Sequence, residues 1–412
     1  MTMNPALSAA DVIADAAALD RQDPLAHFRE RFILNDEVRS YLDGNSLGRP
    51  LRATRDRLPQ FVEEVWGGRL IRAWDEQWID APVVLGDRLG AAALGAAAGQ
   101  TVVAGSTAVL LYKLMRAAAG RSDRTEVVAD TENFPTDRFV LEGVAAEHGL
   151  TVRWITPDAS HGVTEAQVRE VLNEQTAFVL LSNVAFKSGF IADVPAITAA
   201  AHEFGALVLW DLCHSVGLVP MQLDAWGVDL AVGCSYKYLN GGPGAPAFAY
   251  VSAAAQQEVT QPVQGWFGAA DPFGMTETYV PARGIRQMIS GTPPILGLQP
   301  ISDMVDLIEE AGIDAIRAKS IALTEFAAEF ADAHLARYGV RVISPRDPAI
   351  RGGHVTLDHP AFKEIVAALW ERGIIPDFRP PQGIRIGLSP LSTSFAELAE
   401  GLLAIAECLE ER

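Results

Sequence analysis

The sequence predicts an α/β fold: a large domain with a mostly parallel, seven-stranded sheet covered by helices, and a smaller C-terminal α+β domain. Three observations predict it. Short, near-continuous apolar runs alternate with helical segments from Gln100 to Val251, the pattern of strands buried on both faces. Residues suited to chemistry stand just past the ends of those runs, where open parallel sheets carry their sites. Gly291-Thr-Pro-Pro294 then breaks the pattern, and two long amphipathic segments follow. These shifts divide the chain into an N-terminal helical arm (1–45), a large domain (46–295) and a small domain (296–412).

The elements follow in order. Ser8-Ala-Ala-Asp11 opens a helix with the spacing of a capping box. Tyr41 to Pro50 is a loop, because Gly44, Asn45, Gly48 and Pro50 are turn residues, and such loops carry binding groups. Residues 51–98 read as two helices split by Gly67-Gly68 and Pro82. Gln100–Ala104 is a short strand, and Gly105-Ser-Thr107 starts a helix over Ala108–Ala119. Strands follow at Glu126–Asp130, Thr151–Thr156, Ala177–Ser182, Ala206–Asp211, Leu230–Cys234 and Ala247–Val251. Helices lie between them, one from Asn133-Phe-Pro-Thr-Asp137 to His148, then Glu165–Asn173 and Val194–Phe204. Helices over Ile295–Glu310 and Ile313–Tyr338 lead into the small domain. There, strands Val340–Ser344, His354–Leu357 and Gly383–Leu388 alternate with helices Ala361–Arg372 and Ser394–Glu410.

Composition narrows the function. Of 412 residues, 49% are hydrophobic and 21% charged, which are globular values. No window approaches the ~18 consecutive apolar residues of a membrane span. Asp11, Asp15 and Asp20 interrupt what would have to be a signal peptide, so a cytoplasmic protein without membrane association is expected. A net charge of -19 argues against nucleic acid as a partner. Cys213, Cys234 and Cys408 are too few and too scattered for a zinc site or a disulfide frame, so no metal is expected.

The stretch from Asp211 to Gly244 carries the sharpest chemical signal. An apolar strand stops at the carboxylate of Asp211, and about 26 residues later Lys237 stands between Tyr236 and Tyr238 ahead of a glycine-rich run. A strand-end acid and such a lysine are what pyridoxal phosphate (PLP) chemistry requires. The amine joins the cofactor's aldehyde, and the acid keeps the pyridine nitrogen protonated. A lone lysine is most often a solvated charge and a strand-end Asp often a helix cap, so the pairing carries the reading. His214 shares a face with Asp211 if the turn is helical. Phe134 can lie on a ring, with Asp137 a turn later. Ser106 at a helix start offers an anion site, a weak signal alone. Ser182, like Ser106, Phe134 and Asp211, follows a strand. Arg385 sits mid-strand in Gly383-Ile-Arg-Ile-Gly387 and needs an anion. A substrate α-carboxylate suits its fork, and a structural ion pair is the plainer alternative. Trp66, Trp74 and Trp78 are core or the wall of an aromatic pocket.

Together these residues resemble the kynureninases, PLP-dependent enzymes of the aspartate aminotransferase fold (fold type I). The likeness runs from Tyr41 to about Pro390. It rests on Gly44-Asn-Ser-Leu-Gly48, Phe134-Pro-Thr-Asp137, Asp211-Leu-Cys-His214, Cys234-Ser-Tyr-Lys-Tyr-Leu-Asn240, Gly265-Trp-Phe-Gly268, Pro293-Pro294 and Gly383-Ile-Arg385. The Ser-Tyr-Lys-Tyr-Leu-Asn and Gly-Trp-Phe-Gly strings are the most specific. The resemblance implies that Lys237 binds PLP covalently, that Asp211 pairs with the pyridine nitrogen, and that His214, Phe134, Asp137 and Ser182 contact the cofactor. Ser106, Thr107 and Tyr236 would hold the phosphate. Trp266 and Thr292 would reach it from a neighbouring subunit, which implies a homodimer with shared active sites. Arg385 would bind the substrate carboxylate, Tyr236 would donate a proton, and Trp74, Phe267 and the Asn45 loop would form the aryl pocket. The implied reaction is hydrolysis of L-kynurenine, an amino acid, to anthranilate and L-alanine in tryptophan catabolism, a pathway that also feeds NAD biosynthesis.

The chain departs from the more polar family members, which carry Asn at Thr292, Ser at Gly291 and His near Trp74. The smaller set goes with kynurenine over 3-hydroxykynurenine. Two rivals stand beside this reading. A cysteine desulfurase of the same fold needs a mobile cysteine, and none follows His354 in Arg351-Gly-Gly-His-Val355. A PLP-binding regulator needs a DNA-binding module, which the acidic N-terminal residues do not resemble.

Overall fold

The computed structural model describes residues 3–4, 7–158 and 160–412. Helix α1 (Ala9–Gln22) precedes the short strand β1 (Ser40–Tyr41) and helices α2 (Arg52–Gln60) and α3 (Ala81–Leu89). The large unit continues with β2 (Thr101–Val103), α4 (Thr107–Ala119), β3 (Glu126–Asp130), α5 (Pro135–His148), β4 (Thr151–Ile155), α6 (Glu165–Val171), β5 (Thr176–Ser182) and α7 (Val194–Glu203). It closes with β6 (Leu207–Asp211), β7 (Leu230–Gly233), β8 (Phe248–Val251) and α8 (Ala255–Glu258). After these come α9 (Ile295–Ala311), α10 (Ile313–Phe330), β9 (Arg341–Val342), β10 (His354–Asp358), α11 (Phe362–Glu371), β11 (Ile374–Ile375), β12 (Asp377–Arg379), β13 (Gly383–Gly387) and α12 (Phe395–Glu410).

The expected seven-stranded sheet is present, in the order β2-β8-β7-β6-β5-β3-β4. Its strands from β7 to β4 run parallel, and β8 is antiparallel to both neighbours. Side chains alternate across a strand, so each apolar run serves two cores. In β6, Val208 and Trp210 enter one core with α7 and α9, while Leu207 and Leu209 enter the other with α4. This double burial is why the strands read as unbroken apolar runs.

The small unit is a four-stranded antiparallel sheet, β12-β13-β10-β9, packed on α10, α11 and α12. α1 joins this unit. Val12 and Ala16 lie in its core, and β1 pairs with β11. The capping box is formed, with Ser8 Oγ accepting from Asp11 N at 3.2 Å. Asp20, near the far end of α1, accepts the Phe395 and Ala396 N–H groups at 2.7 and 2.9 Å, so one helix caps another. α9 packs into the large core through Leu298, Ile301 and Val305, and α10 passes from that core at Ile316 to the small one at Leu323.

Residues 52–94 differ from the two-helix expectation. α2 runs on through a wide turn to Gly67, and Pro82 begins α3 rather than breaking a helix. A proline in the first turn lacks only an N–H that has no partner there. Among the described residues, no helix is long and apolar enough to cross a membrane.

Candidate active site

Two adjacent strands deliver the acid and the lysine. β6 is buried throughout and ends at Asp211, which lies in register with Ser182 of β5 and Val232 of β7. Beyond β7 the chain turns through Ser235-Tyr-Lys-Tyr238. Lys237 is buried, and its Nζ lies 3.0 Å from His214 Nε2. The rings of Phe134 and Tyr236 are centred 5.7 and 6.0 Å from that nitrogen. Burial, then the charges of Lys237 and Arg385, hold His214 well below the ordinary imidazole range. A neutral His214 offers the Lys237 amine an acceptor.

Asp137, in the first turn of α5, is buried against Asp211. Burial first, then the charge and hydrogen bond of Asp211, raise its carboxyl well above the carboxylate range. Two carboxyls this close do not both ionise in a dry site. Asp137 Oδ2 has no partner, nor has Nδ2 of neighbouring Asn133. Ser182 Oγ donates to Asn133 Oδ1 at 2.7 Å. Tyr236 is half-buried, and burial keeps its phenol protonated, well above its ordinary value. Across the site, Gly105 at φ +62° turns the chain into α4. Ser106 caps that 13-residue helix without a side-chain hydrogen bond. Its hydroxyl and the first N–H groups of α4 are open to an anion.

Glycines bring the Gly44-Asn-Ser-Leu-Gly48 loop against this cluster. Gly48 N donates to the Tyr236 carbonyl at 2.8 Å, and a Cβ on Gly48 would collide with the Lys237 carbonyl. Gly44 is similarly pressed on Ser389. Arg385 is buried beside the loop. It donates to Ser46 Oγ and the Phe186 carbonyl, both at 2.9 Å, and pairs with Asp377 at 2.6 Å. With its amide oriented to satisfy both neighbours, Asn45 accepts from Arg385 Nε at 3.0 Å and donates to Asp43 at 3.1 Å.

The aromatic candidates lie elsewhere. Trp74 packs on Phe267 at 5.2 Å, and Phe267 on Trp266 at 4.4 Å. Phe267 is fully enclosed and lines no open surface of the single chain, while Trp266 and Thr292 are exposed. The aryl-pocket candidates are thus split, with Asn45 at Arg385 and the other two on this aromatic patch. Sequence reasoning missed Asn133, Phe186, Asp377 and His354. Asp377 lies in a three-residue strand too short to show alternation, and His354 drew notice only for lacking a following cysteine.

Each demand of pyridoxal phosphate meets a group in this site: an amine for the aldehyde, a buried carboxyl pair with an unmet oxygen for the ring nitrogen, and a free helix start for the phosphate. With the sheet order, these define a PLP-dependent enzyme of fold type I. Comparison agrees. A profile described as Cys/Met metabolism PLP-dependent enzyme matches residues 83–288, and one for the kynureninase C-terminal domain matches residues 316–405. Cysteine desulfurase structures from Thermococcus onnurineus NA1 and Escherichia coli each superpose with a TM-score of 0.81, over 94% of this chain and 98% of theirs. At 17% identity they share its fold. A kynureninase of Pseudomonas fluorescens is 39% identical over 406 residues, 97% of this chain and 95% of its own. One from Burkholderia pseudomallei K96243 is 37% identical over 402 residues, 96% and 95% of the two chains. The chain belongs to the kynureninase family.

Proposed function

We propose that this enzyme hydrolyses the Cβ–Cγ bond of L-kynurenine to anthranilate and L-alanine, takes 3-hydroxykynurenine more weakly, and serves tryptophan catabolism in the cytoplasm. The observation that carries this is near-full-length similarity to kynureninases, joined to the buried Lys237–His214 and Asp137–Asp211 pairs. One water is consumed. Its oxygen joins Cγ, which becomes the anthranilate carboxyl, and Cβ gains a proton to become the alanine methyl.

Bound at Lys237, pyridoxal phosphate supplies an electron sink for charge that builds up beside the amino acid's nitrogen. Lys237 Nζ, once the substrate's amino group has displaced it, would take the α-proton and later return it to Cα. Tyr236, kept protonated by burial, is the donor for Cβ. Asp211 would pair with the ring nitrogen, with Asp137, His214 and Ser182 near it, and Phe134 would lie against the ring. Ser106, Thr107 and Tyr236 would hold the phosphate. Arg385 takes the α-carboxylate through the guanidinium N–H that Asn45, Phe186, Ser46 and Asp377 leave free.

Trp266 and Thr292 complete the site of a neighbouring subunit in a homodimer with shared active sites, Phe267 and Trp74 backing Trp266 toward the aryl end. The exposed Trp66, Trp266, Phe273 and Leu296 support this, since large exposed apolar side chains mark association surfaces. Gly291 and Thr292 leave that end small, which suits an unsubstituted ring.

The test is the PLP-loaded protein with L-kynurenine, followed by anthranilate fluorescence and alanine release. Equal amounts of both are expected. Neither product from a protein with its cofactor bound, together with sulfide release from cysteine, reverses the choice in favour of a desulfurase.

A further inference from the structure

His354 opens β10 and is fully enclosed, yet neither of its ring nitrogens has a hydrogen-bond partner. Strand register shows where it faces. Thr356 lies opposite Arg385, and His354 opposite Gly387. Opposed residues of an antiparallel pair project from one face, and alternate residues share it. His354, Thr356 and Arg385 therefore occupy the same face of the small sheet. That face meets the active site: Thr356 Oγ1 donates to the Lys187 carbonyl at 2.5 Å, and Arg385 to the adjacent Phe186 carbonyl. The His354 ring is centred 6.0 Å from that of His214, the histidine beside Lys237.

The surroundings hold His354 close without satisfying it. A Cβ on Gly189 would come within 3.3 Å of His354 Nε2. Gly387, directly opposite, has no side chain, and Asn45 fills the room this leaves. The Lys187 carbonyl lies near enough to favour a charged ring, but it meets neither nitrogen in hydrogen-bond geometry. Unmet buried donors and acceptors are costly, and His354 leaves both ring nitrogens in that state on the face that meets the site. Burial, then the charges of Arg385 and Lys237, keep the ring neutral. A neutral imidazole gives one N–H and one lone pair. It can therefore bind an anion without adding a further cation beside Arg385.

We propose that His354 is a substrate-binding residue that donates a hydrogen bond to the amino-acid end of the substrate, at the α-carboxylate beside Arg385. This rests on the assignment of Arg385 as the carboxylate's partner. It gives a role to the site where the sequence shows histidine and no cysteine.

The test uses the full-length, PLP-loaded enzyme and the variants H354F, which keeps a ring without a donor, and H354Q, which keeps a donor. L-Alanine, the amino-acid end alone, is titrated against the absorbance of the bound cofactor, and anthranilate against turnover. H354F is expected to weaken alanine binding about tenfold and to raise KM for kynurenine more than it lowers kcat, in line with losing a hydrogen bond to a charged group. H354Q should recover most of the loss, and anthranilate inhibition and PLP affinity should not change. Unchanged alanine binding in H354F overturns the assignment, as does weakening of PLP or anthranilate in its place. If H354F does not fold, H354M replaces it as the variant without a donor, with the same two outcomes. Wild-type turnover of kynurenine is scored separately, so the assignment of His354 can fail while the enzyme assignment stands.

Discussion

Lys237 is buried with His214 beside its amine, the setting of a lysine that can join a carbonyl compound. Lys237→Ala should reduce anthranilate formation to background and abolish the absorbance of protein-bound cofactor, with far-UV circular dichroism unchanged. Loss of the fold in that variant would mean the lysine serves packing instead. Asp130, at the end of β3, makes a pH-dependent prediction. Burial is the main cause that raises its carboxyl from 3.8 to about 7. For an acid raised on folding, the stability contribution is full below its unfolded pKa and is lost as pH rises through the folded value. Asp130→Asn, which never ionises, should match the wild type in thermal stability near pH 4 and exceed it at pH 8. An equal effect at both pH values would show that the carboxyl is not perturbed.

Among the elements, the small sheet and the glycine loop meet at Arg385, the proposed partner of the substrate carboxylate. β13 sets Arg385 opposite Asp377 on one side and Thr356 on the other, and the loop brings Asn45 to the guanidinium. Gly387 allows this approach, since a Cβ there would run into the Asn45 side chain. Gly387→Ala should therefore displace Asn45 and raise KM for kynurenine several-fold, with a smaller change in kcat; unaltered kinetics would remove Asn45 from the account. α1 and α12 form a second linked pair. Asp20→Ala leaves the Phe395 and Ala396 N–H groups without their acceptor, while Ser394 still caps Glu397 N. A loss of about 1 kcal/mol is expected, read as a lowered urea midpoint, with the activity of the folded enzyme retained.

At the scale of the whole molecule, each chain brings an amine-and-carboxylate cluster in one place and an exposed Trp266–Thr292 patch in another. If sites are shared between subunits, two inactive variants can repair each other. Lys237→Ala and a Trp266→Ala, Thr292→Ala double variant should each be nearly inactive alone. After co-expression, hybrid dimers contain one site that carries every lesion and one that carries none. Activity should rise well above either parent, approaching half of wild type per hybrid. No recovery in verified hybrids would place Trp266 and Thr292 outside the shared site, and a monomer in light scattering would remove the dimer itself.

The cluster around Lys237 and Asp211 was legible because its markers are local. Apolar runs ending at an acid, a capping box at Ser8 and turn glycines at 44 and 48 each declare themselves within a few residues. The alternation of strands and helices, and with it the fold class, follows from the same short-range rules. What the chain could not declare locally were partnerships between residues far apart in sequence. Asp377 meets Arg385 through a strand too short to read, α1 caps α12, and the Asn45 loop closes on the lysine turn from nearly 200 residues away. His354 faces the site because its register with β13 puts it on Arg385's side of the sheet. Periodicity tells which face of a strand is apolar, but only packing the two sheets together decides what that face meets.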